Sequence, residues 1–259
     1  MQKLPDFPWD LLAPYGDKAK KHPDGFIDLS QGTPVDPTPK FIQDALSKAS
    51  NSPSYPLTAG SEELRAAIKD FAIKTLGVTG EFDVLPTIGS KELIALLPTF
   101  LQSKTVLYPA VAYPTYLVGA LMASAQPTPV EIDATTWPVA DLAWVNSPSN
   151  PTGQVQSSEQ LLAAIDWARK NNSILASDEC YLSFTTTGKS ILALSGGNNS
   201  GLLAVHSLSK RSNLAGYRAA FLIGDSKLID QIRQIRKHAG LMVPLPVQQA
   251  MIAALSENK

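Results

Sequence analysis

The chain of 259 residues carries 22 Lys and Arg against 23 Asp and Glu, a net charge of -1 at pH 7. This balance excludes the basic footprint that binds nucleic acids or anionic membranes, and it favours a small-molecule partner. The single cysteine cannot form an internal disulfide, and no stretch has the apolar run of a signal peptide or a membrane span, so we expect a cytoplasmic protein.

The first forty residues are rich in proline and glycine, which predicts an extended arm interrupted by turns. Two amphipathic helices follow, over residues 39–50 and 62–76, because apolar residues recur there at helical spacing. Ser61 is expected to cap the second helix, since its hydroxyl can accept a hydrogen bond from an unpaired amide of the first turn.

From residue 83 onward, short apolar runs alternate with helical stretches. This alternation predicts a mostly parallel sheet covered by helices on both faces, a three-layer α/β/α fold. Ligands of such sheets bind beyond the carboxyl ends of the strands. The predicted strands are 83–88, 105–108, 129–132, 142–146, 173–177, 202–207 and 219–223, and the predicted helices are 91–101, 115–124, 158–171 and 227–239.

Gly89, Ser90 and Lys91 follow the first strand and begin a helix. The unpaired amides of a helix start favour an anion, which makes this turn a candidate phosphate site, although an ordinary turn and cap explains it as well. After the second strand, Tyr113 and Tyr116 offer a ring that could stack on a flat cofactor. Packing in the core is the alternative for both tyrosines.

Two further strand ends carry polar groups. Asn150 lies in a loop stiffened by prolines and offers an amide donor to a ring oxygen, although a turn-forming asparagine is the simpler interpretation. Asp178 ends a buried strand, where a carboxylate needs a cationic partner. A protonated heterocycle nitrogen would meet that need, and so would an arginine of the same chain.

The last predicted strand ends place two hydroxyls, an amine and a guanidinium together. Ser207, Ser209 and Arg218 are suited to a phosphate dianion, because arginine adds charge-assisted hydrogen bonds. Lys210 is then free for chemistry, since an amine in a dry pocket or near a cation loses its proton readily and attacks an aldehyde. A solvated surface lysine is the alternative.

Four motifs resemble the fold-type I pyridoxal-phosphate (PLP) aminotransferases of class I and II. They are Ser-Pro-x-Asn-Pro-Thr-Gly at 147–153, Asp-Glu-x-Tyr at 178–181, Ser-x-Ser-Lys at 207–210 and Gly-Tyr-Arg at 216–218. Their order and spacing resemble those of the family over essentially the whole chain. The resemblance implies an enzyme of this family with pyridoxal 5′-phosphate as its cofactor and no metal ion.

The resemblance also implies a role for each motif residue. Lys210 forms the Schiff base with the cofactor and moves the proton of the substrate α-carbon, while Asp178 keeps the pyridine nitrogen protonated. Tyr181 and Asn150 bond the ring oxygen. The implied cofactor-binding residues are Tyr55 (towards a partner subunit), Gly89, Ser90, Lys91, Tyr113, Asn150, Asp178, Tyr181, Ser207, Ser209, Lys210 and Arg218, and the implied substrate-binding residues are Gly32 and Asn150.

Segments 4–10, 22–25, 32–37 and 243–250 resemble actinobacterial N-succinyldiaminopimelate aminotransferases. This likeness implies transamination between N-succinyl-LL-2,6-diaminopimelate and 2-oxoglutarate in lysine biosynthesis. Family members continue past the position of Lys259 into a small C-terminal domain whose arginine binds the substrate carboxylate. The alternatives are a PLP-binding remnant without turnover, or an aminotransferase or lyase of the same fold with another substrate.

The resemblance further implies a homodimer, because Tyr55 would complete the phosphate site of a neighbouring subunit. The family's domain organisation assigns residues 1–45 to an N-terminal arm and part of the small domain. Residues 46–259 are assigned to the large, cofactor-binding domain.

Overall fold

The computed structural model describes residues 4–30 and 32–256 of the chain. The helices in this part are α1 (Pro8–Ala19), α2 (Lys40–Lys48), α3 (Glu62–Phe71), α4 (Ser90–Phe100), α5 (Thr115–Met122), α6 (Ser158–Asn171), α7 (Ile191–Leu194), α8 (Leu208–Arg211), α9 (Ser226–His238) and α10 (Leu245–Ser256). The strands are β1 (Asp83–Ile88), β2 (Thr105–Pro109), β3 (Gln126–Val130), β4 (Leu142–Asn146), β5 (Ile174–Asp178), β6 (Leu202–Ser207) and β7 (Ala219–Gly224).

The strands form a seven-stranded sheet in the order β1-β7-β6-β5-β4-β2-β3. β7 runs antiparallel to β1 and β6, and the other neighbouring pairs are parallel. Parallel pairing brings strand ends to one edge: Asn146 is level with Asp178, and Asp178 with Val205. The prediction of a mostly parallel sheet is confirmed.

Helices cover both faces of this sheet, which confirms the three-layer α/β/α prediction. On one face α4, α5 and α9 pack over an apolar cluster that includes Leu93, Trp144 and Ile229. On the other face α2, α3, α6 and α10 pack over a cluster that includes Leu64 and Ile165. The central strands are therefore buried on both sides, as their continuous apolar runs indicate.

Side-chain caps begin α3, where the sequence predicts one, and α6, where no cap was predicted. The Ser61 hydroxyl accepts a hydrogen bond from the Leu64 amide at 3.1 Å, as predicted. Ser157 and Gln160 form a reciprocal capping box at the start of α6. The buried Gln248 of α10 accepts a hydrogen bond from the Ser61 amide at 2.8 Å and so joins α10 to the start of α3.

The structure differs from the sequence prediction at α1, β3 and α10, and it adds the one-turn helices α7 and α8, which were not predicted. The opening segment is not extended throughout, because α1 forms from residue 8, with Pro8 in the first turn where no amide partner is needed. β3 begins at Gln126 and not at residue 129; its prolines are tolerated because an edge strand pairs on one side only. α10 was not predicted, because it packs against both α2 and α3 and lacks the polar face of an amphipathic helix.

Within residues 4–30 and 32–256, no helix has the length and apolar character needed to cross a membrane. The division of the chain at residue 45 stays a prediction. In the structure that position lies within α2, whose main helical contacts are with α10.

Candidate functional site

A cleft of about 470 Å³ lies at the carboxyl edge of the sheet and brings together most of the predicted site residues. Gly89 lies directly beneath the Arg218 side chain at the rim of this cleft. Tyr55 does not line it; its side chain is 95% exposed. The predicted residues that line the cleft are Gly32, Ser90, Lys91, Tyr113, Asn150, Asp178, Tyr181, Ser207, Ser209, Lys210 and Arg218.

Asp178 supplies a buried carboxylate at the end of β5. Its Oδ2 accepts a hydrogen bond from the Tyr116 hydroxyl at 2.8 Å, and its Oδ1 accepts one from the Cys180 amide at 3.1 Å. Burial raises the pKa of Asp178, although hydrogen bonds from Cys180 and Tyr116 oppose that rise. No lysine or arginine of the described chain forms an ion pair with it, so the structural ion pair considered above is not present.

Lys210 lies on the one-turn helix α8, which follows β6 directly. The Ser207 hydroxyl caps this turn by accepting a hydrogen bond from the Ser209 amide at 3.1 Å. The Lys210 ammonium donates a hydrogen bond to the Gly32 carbonyl of the N-terminal segment. Partial burial lowers the pKa of Lys210, which favours the neutral amine that a nucleophile requires.

Arg218 and Gly89 form one corner of the cleft, named the anion-binding corner after the prediction made for these residues. Arg218 has a left-handed backbone (φ 55°) and donates from Nη1 to the Ala215 carbonyl at 2.9 Å. Its guanidinium lies against Gly89, where a Cβ atom would come within 2.2 Å of Nη2. A φ of 75° favours glycine here, and a side chain at this position would move the Arg218 guanidinium. The amides at the start of α4, from Ser90, face the same corner.

The loop after β4 holds Asn150 in the cleft wall. The Asn146 side chain, which is buried, donates to the carbonyls of Pro148 at 3.1 Å and Asp178 at 2.9 Å. Its Oδ1 accepts a hydrogen bond from the Asn150 amide at 2.7 Å. The Asn146 side chain thus fixes the Asn150 backbone relative to Asp178, a role that the sequence analysis did not assign.

Tyr113 and Tyr181 present partly buried rings to the cleft. Burial raises the pKa of both hydroxyls, so both are protonated donors at neutral pH. Tyr113 packs edge-on against Tyr116, with ring centroids 6.2 Å apart. The two tyrosines after β2 are therefore not equivalent: Tyr113 faces the cleft, and Tyr116 is fully buried beneath it.

The N-terminal segment covers one side of the cleft. The Lys91 ammonium lies 4.5 Å from the ring centroid of Phe7 and 5.7 Å from that of Trp9, which are cation–π distances. Phe7, Trp9, Ser30 and Thr33 line the cleft but were not predicted as site residues. In the sequence, the segment at 4–10 with its aromatic residues indicated a resemblance to a family, but it did not indicate that these residues line the cleft.

Comparison with known proteins identifies the family. The family model "Aminotransferase class I and II" matches residues 24–259. The chain belongs to the class I and II aminotransferases. It is 47% identical, over its whole length, to the 4-dedimethylamino-4-oxo-anhydrotetracycline transaminase OxyQ of Streptomyces rimosus. It is 46% identical over 98% of its length to the probable aminotransferase Rv1178 of Mycobacterium tuberculosis.

These class I and II relatives are longer than the chain. It spans 74% of the length of OxyQ and 63% of that of Rv1178. Among solved structures, the aminotransferase AspB from Helicobacter pylori superposes with a TM-score of 0.90 at 30% identity, covering 99% of this chain and 74% of AspB. The fold prediction is confirmed by this superposition.

Relatives named for diaminopimelate are less similar. The LL-diaminopimelate aminotransferase of Aquifex aeolicus is 33% identical over 89% of this chain and 65% of its own. The structure of a probable N-succinyldiaminopimelate aminotransferase from Thermus thermophilus superposes with a TM-score of 0.85 at 27% identity, covering 95% of this chain and 72% of that one. The likeness to N-succinyldiaminopimelate aminotransferases in particular stays a prediction.

Pyridoxal 5′-phosphate is the cofactor of this family, and the cleft fits it. The buried Asp178 carboxylate forms no ion pair with a lysine or arginine of the described chain, and a pyridinium nitrogen would supply a cation. The corner formed by Gly89, Ser90 and Arg218 offers amides and a guanidinium to a phosphate. Lys210 lies in the same cleft with a lowered pKa, as an amine that reacts with an aldehyde requires.

Proposed function

We propose that this chain forms the PLP-binding part of an aminotransferase that moves an amino group between an amino acid and a 2-oxo acid. The observation that carries the proposal is the joint presence of Lys210, Asp178 and Arg218 in one cleft at the carboxyl edge of the sheet. An amine, a buried acid and a cationic anion site match the aldehyde, the ring nitrogen and the phosphate of PLP respectively.

Each residue has a definite task in this proposal. Bound PLP supplies an electron sink for the pair of electrons left on the substrate α-carbon when its proton is removed. Lys210 holds the cofactor and then carries the proton from and to that carbon. Asp178 keeps a proton on the ring nitrogen by presenting a carboxylate to it. Asn150 and Tyr181 donate hydrogen bonds to the ring oxygen, and Tyr113 packs on the ring face.

The phosphate would be held by amides, hydroxyls and one guanidinium. The amides of Ser90 and Lys91 lie at the start of α4, and Arg218 covers Gly89 beside them. The hydroxyls of Ser207 and Ser209 complete this set from the end of β6. Such a group of donors neutralises a dianion without taking the Lys210 amine away from the aldehyde.

For the substrate we propose N-succinyl-LL-2,6-diaminopimelate with 2-oxoglutarate as its partner. The support is the sequence likeness of four segments, together with relatives named for diaminopimelate at 33% identity. The competing substrate class is a ketone of a polycyclic aromatic compound. It is favoured by the 47% identity to a protein named as an anhydrotetracycline transaminase. Gly32, at the rim of the cleft, is proposed to contact the substrate.

We also propose that the working unit is a homodimer. Tyr55 and Leu57 expose 95% and 67% of their surface and lie outside the cleft of their own chain. Exposed aromatic and aliphatic side chains next to each other are typical of an interface. In this arrangement Tyr55 would reach the phosphate of the neighbouring subunit.

Absorbance and peptide mapping test the cofactor site. The purified chain mixed with PLP should develop the absorbance band of the Schiff base, which differs in wavelength from the band of free PLP. Borohydride should then attach the cofactor covalently to the peptide that contains Lys210. Lys210→Ala should abolish both signals, whereas Lys237→Ala, on the exposed face of α9, should leave them unchanged. Label on another peptide, or on none, would refute the proposal.

Half-reactions then separate the substrate classes and the alternatives. Stoichiometric N-succinyl-diaminopimelate, LL-diaminopimelate or glutamate is added to the PLP-loaded protein, and conversion of the cofactor to its amine form is followed by absorbance. Conversion by the succinylated donor and by glutamate, the amine product of 2-oxoglutarate, but not by LL-diaminopimelate, would support the proposed pair of substrates. A spectrum that none of these three donors changes would support the alternative of a PLP-binding remnant without turnover.

A further inference from the structure

Tyr116 lies outside the cleft but touches the residue that matters most for the ring nitrogen. Its side chain, on α5, is 0% exposed, and it packs on Trp144 with ring centroids 5.2 Å apart. Its hydroxyl donates a hydrogen bond to Oδ2 of Asp178 at 2.8 Å. Tyr116 does not line the cleft, so it affects the chemistry through the cleft residues that it contacts, Asp178 and Tyr113.

We propose that Tyr116 is a positioning residue that keeps the Asp178 carboxylate ionised and fixes the plane in which it faces the cleft. The proposal rests on the proposed function, because it assumes that Asp178 faces the PLP ring nitrogen. Tyr116 holds Oδ2 and the Cys180 amide holds Oδ1. A carboxylate offers about four lone-pair sites, so a ring N–H can still be bonded beside the hydrogen bonds from Tyr116 and Cys180.

The Tyr116 hydroxyl acts against the electrostatic cost of burial. Burial disfavours the charged carboxylate and raises the pKa of Asp178, whereas the hydroxyl stabilises the charge and lowers that pKa. A more basic Asp178 would draw the shared proton away from the ring nitrogen. Tyr116 therefore helps to keep that proton on the nitrogen, where it strengthens the electron sink.

Other titratable groups also surround Asp178, and hydrogen bonds from Cys180 lower its pKa together with the hydrogen bond from Tyr116. Tyr113 lies on the cleft side, and the Cys180 thiol lies beside the carboxylate. His206 reaches it from β6, and it is itself paired with Glu179 at 3.0 Å. From α5, on one face of the sheet, the Tyr116 hydroxyl donates its hydrogen bond to the Asp178 carboxylate.

The test compares Tyr116→Phe with the wild type by measuring the PLP dissociation constant as a function of pH. PLP requires an ionised Asp178, so affinity falls as pH falls through the Asp178 pKa. Loss of a hydrogen bond to a charged group raises that pKa, so the fall should begin about one to two pH units higher in the variant. Titration of the PLP phosphate is common to both proteins and cancels in the comparison.

Infrared titration of the cofactor-free protein gives a readout that does not depend on PLP. The protonated-carboxyl band that Asp178→Asn removes should appear at higher pH in Tyr116→Phe than in the wild type. Tyr108→Phe is the matched control, since it removes a hydroxyl that does not bond Asp178. Neither titration should move in that control.

The outcomes separate a positioning role from mere packing. If Tyr116→Phe keeps the wild-type pH midpoints while its melting temperature falls, the hydroxyl serves packing only and the inference is overturned. In an Asp178→Asn background, Tyr116→Phe should have no effect on the pH profile; a persisting shift would also overturn it. If PLP does not bind the wild type at all, the proposed function fails, and the infrared arm still decides the role of Tyr116.

Discussion

The two sides of the cleft are built in different ways. The floor, formed by Asp178, Cys180 and Ser207 at the ends of β5 and β6, continues a sheet that is buried on both faces. The cover, formed by residues 4–30 and 32–39 and called the arm below, contains α1, which has no buried residue. Contacts that hold the described part of the arm against the body include Lys91 with Phe7 and Lys210 with the Gly32 carbonyl.

This contrast indicates that the floor and the arm have different roles in the site. Groups that must hold a fixed pKa and a fixed direction, such as Asp178, are placed where the core determines their position. Groups that meet the variable part of a substrate can lie on a segment held by a few contacts, because such a segment can change without disturbing the core. The following substitutions test this division, in order of decreasing expected effect.

Arg236→Met should lower the free energy of unfolding by about 3–5 kcal/mol, measured by urea denaturation. Arg236 on α9 is 0% exposed and donates to Glu92 of α4 at 2.6 Å, which ties α4 to the body beneath the anion-binding corner. Removing it leaves a partly buried carboxylate unpaired. Lys74→Met, which breaks an exposed pair with Asp70, is the control and should cost less than about 1 kcal/mol.

Asp178→Asn should weaken PLP binding by about 10- to 100-fold, because a hydrogen bond to a charged group is lost. The cofactor-free variant should be at least as stable as the wild type, since it buries no charge. The pKa of Asp178 is raised in the folded state, so wild-type stability falls as pH rises through the range above the usual value of 3.8. The difference in free energy of unfolding between Asp178→Asn and the wild type should therefore grow, in favour of the variant, as pH rises through that range. Asp166→Asn, on the exposed face of α6, serves as the control.

Gly89→Ala should weaken PLP binding by about tenfold, because the new methyl group displaces the Arg218 guanidinium from the anion-binding corner. Gly240→Ala is a matched control: it has a similar φ of 70° but open space around the Cβ position. Both substitutions should cost stability through the left-handed backbone, about 1–2 kcal/mol. Equal PLP affinities in the two variants would show that Arg218 does not bind the phosphate.

Phe7→Ala should have the smallest effect, a loss of about 0.5–1 kcal/mol from the cation–π contact with Lys91. The global free energy of unfolding should hardly change, because Phe7 is 45% exposed. The arm should open more often, so trypsin should cleave after the exposed Lys20 and Lys21 about two to five times faster. Phe26→Ala, at 42% exposure in the same arm, is the control.

The sequence predicted the floor well, because its signals are local. The bounds of β1, β4, β6 and α6 agree with the prediction, since each is a short apolar run or a regular apolar stripe with clear ends. Residues that follow such strands must meet at one edge, so Asp178 and Lys210 were placed in one site before any contact was known.

Contacts between distant segments could not be predicted in the same way. Tyr116 was interpreted as packing or stacking, and its bond to Asp178 joins residues 62 positions apart. The hydrogen bonds from the Asn146 side chain to the carbonyls of Pro148 and Asp178 depend on the conformation of the loop after β4. In the arm, the high proline content concealed α1, and Phe7 carries no chemical signature of a cleft residue.

The reversed direction of β7 has a consequence for which changes of chain length the site can accept. Because β7 runs against β6, residues 211–217 form a short return that leaves the site at Lys210 and re-enters it at Arg218. The Lys210 amine and the Arg218 guanidinium are thereby placed by one short connecting segment, residues 211–217. Insertions or deletions in this connecting segment would change the distance between the Lys210 amine and the Arg218 guanidinium. Changes of length after Gly224, at the other end of β7, would leave both groups in place.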